Sequence, residues 1–63
     1  MSATFILSVE LNETQASALA QLIKRIPLSD LRSNAVDEAE AYDMQSALEQ
    51  TCKALREQGF DPR

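Results

Sequence analysis

A small α+β domain, mostly helical and ordered β-α-(short turn)-α, is the fold class this 63-residue sequence predicts. Three observations lead there. Residues 4–11 alternate apolar and polar side chains. Residues 13–26 and 38–58 each carry one apolar face at helical spacing. Helix start and stop signals bracket both helical runs, leaving a connector at 27–36.

In residues 4–11, Phe5, Leu7, Val9 and Leu11 fall on one side, and Thr4, Ile6, Ser8 and Glu10 on the other. Period two and β-forming residues predict a strand with one buried face. The chain offers no second strand, so the expected partner is the same strand of a second copy, with Phe5, Leu7 and Val9 at the dimer contact. Size points the same way. One domain this small sits at the lower edge of independent folding and needs a disulfide, a metal or a second subunit. Cys52 has no partner thiol and the chain has no histidine, which leaves the homodimer.

The first helix opens on a capping box, Asn12 with Gln15, and Leu11 is placed to staple onto Ala16. Its apolar face is Ala16, Leu19, Ala20, Ile23 and Ile26, and Pro27 stops it. In the connector, Ser29 is a candidate cap for one short turn, with Leu28 and Leu31 facing inward. The second helix repeats the grammar of the first. Val36 is the staple, Asp37 the cap, Glu40 its reciprocal partner and Ala41 the staple receiver. Ala41, Met44, Leu48, Cys52 and Leu55 then share a narrow arc, the spacing of helix-on-helix packing. Gly59 followed by Phe60 predicts a left-handed stop with Phe60 folded onto Leu55, and Pro62 reinforces it.

Net charge is -4 and unevenly distributed. Residues 1–33 balance, whereas residues 34–63 carry seven acids against Lys53, Arg56 and Arg63. That excess repels phosphate and anionic lipid, and it fits either a solvated helix face or a basic protein partner. No run of about 18 apolar residues is present to span a membrane. With no secretory signal visible and a single thiol, the expected compartment is the cytoplasm.

The parts of an enzyme are missing from this reading. Asp37, Glu38, Glu40 and Asp43 crowd the first turns of a helix, where capping and the helix dipole account for them. Cys52 lies on the apolar stripe with no histidine to activate it, and one glycine cannot build a phosphate loop. We therefore expect no catalytic, cofactor-binding or metal-binding residue.

Tyr42 stands apart. It projects roughly 100° from the apolar stripe, near Glu38, Ser46 and Glu49. Either it covers Leu28 or Leu31 of the connector, or it is an exposed aromatic in an acidic field, the composition of an interface hot spot. Arg32 is expected to pair with Asp37 or Glu40. The candidate partner-binding face is Asp37, Glu38, Tyr42, Asp43 and Glu49.

Two resemblances follow from these residues. The element order from Thr4 to about Glu49 resembles the ribbon–helix–helix DNA-binding dimers, which implies a transcriptional regulator or antitoxin. The outward strand residues would then be Thr4, Ile6, Ser8 and Glu10, without a base-reading Arg, Lys, Asn or Gln, so direct nucleic-acid binding is disfavoured. The stretch SDLRSNAVDEAEAYDM and the ending GFDPR are similar to a small uncharacterised family carried on proteobacterial mobile elements and prophages. That setting implies an anti-CRISPR-like inhibitor of a host defence complex. The first expectation is accordingly a non-enzymatic, acidic, homodimeric protein-binding module.

Overall fold

A computed structural model describes residues 3–61, and it is helical: α1 spans Glu13–Arg25, α2 Leu28–Asn34 and α3 Glu38–Glu57. The predicted α+β class is thereby corrected. Among the described residues there is no strand, and 4–11 run as an unpaired arm ahead of α1. The reason is physical. A strand exists through ladder hydrogen bonds to a neighbour, and alternation along one segment creates two faces without supplying that neighbour. Neither face of the arm is covered, with Phe5 79%, Leu7 84% and Val9 72% exposed on one side and Ile6 94% on the other. Phe5, Leu7 and Val9 are thus unpaired in the described chain, and the β-α-α fold with a paired strand is not supported.

The first helix is punctuated by side chains at both ends. The Gln15 backbone N–H donates to Asn12 Oδ1 (2.8 Å), and the Asn12 N–H donates to Gln15 Oε1 (3.0 Å). Two orphan donors of the first turn are satisfied reciprocally. At the other end Ile26 turns extended (φ -71°, ψ 120°), the conformation that a following proline imposes.

The stretch 27–36 holds more helix than one turn. Pro27 occupies the N-cap position and its carbonyl accepts from the Asp30 N–H (3.0 Å). Ser29, predicted as the cap, instead lies within α2, where its carbonyl accepts from the Ser33 hydroxyl (3.0 Å). Leu31 is buried and Leu28 half-buried, which turns one side of α2 inward.

In α3 the Glu40 N–H donates to the Asp37 carboxylate (2.8 Å), but the return bond is displaced by one residue. Glu40 Oε1 accepts from the Val36 N–H (3.1 Å). Val36 is 85% exposed while Ala41 is fully buried, so the predicted staple between them is not made. The last turn closes as a Schellman motif. The Phe60 N–H reaches the Leu55 carbonyl and the Gly59 N–H the Arg56 carbonyl, both at 2.9 Å. Gly59 takes φ +92°, which residues with a Cβ rarely adopt. Pro62 and Arg63 lie outside the described residues.

The third helix is the spine. It packs against α1 and against α2, whereas those two helices do not pack on each other. One cluster joins Ala16, Ala20 and Leu55, with Leu19, Ile23 and Phe60 against it. Leu31, Ala41 and Cys52 are the other buried apolar residues described. Alanine at Ala16, Ala20 and Ala41 lets the helix backbones approach closely, but it buries little surface. No large side chain among the described residues is fully buried.

Two substitutions test this packing. Ala20→Leu, placed where only 1% of the residue is exposed, should destabilise the fold by about 1–3 kcal/mol through overpacking. Gly59→Ala should cost about 1–2 kcal/mol by backbone strain alone, because a Cβ there meets nothing within 4 Å. Urea unfolding followed by circular dichroism checks both. Gly59→Asn should lose less than Gly59→Ala, since asparagine tolerates positive φ better.

Candidate functional site

The five predicted partner-binding residues all lie at the start of α3 or along its exposed surface, but they do not form one patch. Helical spacing places Glu38, Tyr42 and Glu49 within roughly 40° of one another, in a stripe down one side of α3. Asp43 follows Tyr42 directly and so sits roughly 100° farther round. Asp37 precedes the helix, and one of its carboxylate oxygens is engaged by the Glu40 N–H. The structure thus gathers three of the five and leaves Asp37 and Asp43 at the margins.

Tyr42 is 49% exposed, between the two sequence-derived alternatives. Its ring is neither sealed beneath the connector nor free of it. Arg32 of α2 reaches across, donating from Nη2 to Glu38 Oε1 at 2.9 Å and toward the Tyr42 hydroxyl oxygen at 3.5 Å. The second contact is at the outer limit of a hydrogen bond and contributes direction more than energy. The ion pair is open to water, with side-chain exposures of 49% and 64%, so it contributes at most about 1 kcal/mol.

Arg32 was expected to meet Asp37 or Glu40 and instead meets Glu38. Both expected partners are occupied by backbone donors, Asp37 by the Glu40 N–H and Glu40 by the Val36 N–H. Glu38, on the first residue of the helix, is left to receive the guanidinium. Sequence reasoning left Arg32 out of the site because its reach depends on how α2 lies against α3. The clue available in sequence was the lone cation between Arg25 and Lys53, facing an acid-rich helix start.

Local neutralisation changes the field. Glu38 is matched by Arg32, whereas Glu49 and Asp43 have no cation within ion-pair distance among the described residues. The charged end of this face is therefore at Glu49, two turns beyond the aromatic ring. Among the described residues no group of three or more His, Cys, Asp or Glu side chains is placed to hold a metal ion. Cys52 is a free thiol, buried on the apolar arc of α3 that flanks this stripe. No helix among the described residues is long and apolar enough to cross a membrane.

Neither a curated protein nor a solved structure matches the chain. A family model does match, over residues 1–63, and its description is a family of unknown function (DUF7706). With its whole length covered by that match, the chain belongs to the DUF7706 family.

Proposed function

We propose that this protein is a non-enzymatic binding module that docks the Glu38–Tyr42–Glu49 stripe of α3 onto a basic protein surface, and that it acts as a homodimer. Tyr42 carries the reading. A half-exposed aromatic, steered by Arg32 and followed along the helix by an unneutralised carboxylate, matches the make-up of an interface anchor with charged surroundings. The remaining acids of the first turn have local work. Asp37 accepts from a backbone N–H, Glu40 does the same, and Glu38 holds Arg32. Groups bound in this way hold a helix start together and are not arranged around a cleft.

The resemblance of SDLRSNAVDEAEAYDM to proteins of mobile elements supports a narrower version: inhibition of a host defence complex through its basic, nucleic-acid-binding surface. An acidic stripe would compete there with phosphate. A reducing cytoplasm suits the free thiol of Cys52. The ribbon–helix–helix regulator is the second reading, disfavoured because Thr4, Ile6, Ser8 and Glu10 offer no base-reading Arg, Lys, Asn or Gln.

Capture of the partner from a host lysate, identified by mass spectrometry and followed by titration with the purified partner, tests the reading. Tyr42→Ala should weaken binding at least about tenfold, the loss typical of an anchor residue, with helical circular dichroism unchanged. Glu49→Lys should reverse the salt dependence at that end of the face, and Asp43→Lys should have the smaller effect. Normal binding by both Tyr42→Ala and Glu49→Lys refutes the face. Arg32→Ala should leave stability within about 1 kcal/mol of the parent. It should also tighten binding to a basic partner, because it unmasks Glu38.

A further inference from the structure

The arm ahead of α1 is the largest feature that the α3 stripe leaves unexplained. Phe5, Leu7 and Val9 on one side of the arm, and Ile6 on the other, are each more than two-thirds exposed. An isolated apolar side chain on a surface is ordinary, but a contiguous set marks a contact. The arm is also one wall of an open groove of about 570 Å³. Leu7, Val9 and Leu11 line that wall, and Ala16, Leu55 and Phe60 line the other. Ala16 and Leu55 belong to the main apolar cluster, and Phe60 packs against it. The groove therefore leads directly to the core.

The dimensions of the chain agree. Its radius of gyration is 12.6 Å, where a compact chain of this length has about 10.6 Å. It exposes 5354 Å², where a folded monomer of this mass exposes about 4,000 Å². The excess exceeds the roughly 800 Å² that each partner loses in a standard interface. Apolar arm and receiving groove lie at the same end of one molecule, so a two-fold axis satisfies both at once: each copy donates an arm and accepts one.

We propose that a second copy of this chain occupies the groove, the apolar side chains of each arm seating between the partner copy's arm and its α1–α3 end. The contact is made by side chains against a helical core, not by a strand shared between copies. It rests on the homodimer proposed above and assigns the surface that forms it. Glu10 and Glu57 line the same groove and would lie at the rim, where charges stay hydrated.

Light scattering of the full chain across a concentration series gives the stoichiometry, and a photo-crosslinking residue at position 5 gives the surface. A mass of twice the chain is expected, with thermal unfolding that shifts upward with concentration. Mixed isotope-labelled and unlabelled chains should yield crosslinks between copies, from position 5 to the segment 54–60. Leu7→Glu and Val9→Glu alter side chains already exposed in the single chain, so helical content should persist while dimer dissociation rises at least about tenfold. Val36→Ser, at the other end of α3, should change nothing. A monomer at every concentration overturns the dimer itself. A dimer that survives Leu7→Glu, or crosslinks confined to one copy, overturns the arm-in-groove surface and leaves the homodimer standing. Either failure is independent of partner binding by Tyr42.

Discussion

The close approach allowed by three alanines is the constraint on which the remainder of the fold depends. Ala41 is fully buried, Ala20 nearly so, and Ala16 lies beside them in burial. A methyl group at these positions brings two short helices close to α3, and Leu31 and Leu55 then fill the remaining space. This arrangement is sensitive to added volume, and it limits how much apolar surface the chain can remove from water. The helix ends consequently matter more than they would in a larger protein. The reciprocal Asn12–Gln15 cap, the Pro27 boundary and the Gly59–Phe60 closure each fix where a helix begins or ends, and so which of its residues can face α3 or be faced by it.

Electrostatics plays a local part in folding and a longer-range part at the surface. The acids at the start of α3 satisfy backbone donors or meet one arginine, and those near its end are interspersed with Lys53 and Arg56. Exposed pairs of this kind add little to stability. Their larger effect is on the field around the chain, which carries net charge -4 with the excess in one half.

Helix punctuation was legible in sequence because caps and stops act within a few residues. Asn12, Pro27, Asp37 and Gly59 stand at helix boundaries for reasons their own side chains or backbones supply. The strand was misread for the opposite reason: period two in Phe5–Leu11 describes which way side chains point and leaves open what they meet. The seven-residue α2 was understated because it is too short for a periodic signal. Its Ser33 and Asn34 side chains bond back to carbonyls four residues earlier, a use of serine and asparagine that favours no single structure. At the candidate site, the direction of Tyr42 followed from helix geometry alone. The partner of Arg32 did not, since it is set by the packing of α2 on α3.

The absence of contact between α1 and α2 divides the molecule in a way its small size conceals. Two small apolar groups are packed on one helix, and apart from α3 only the Ile26–Pro27 link joins the helices that cover them. Packing contact between the two groups therefore runs through α3 alone, across its middle around Gln45–Ala47. The end bearing Tyr42 and the end bearing the arm therefore present separate surfaces on the same 63 residues.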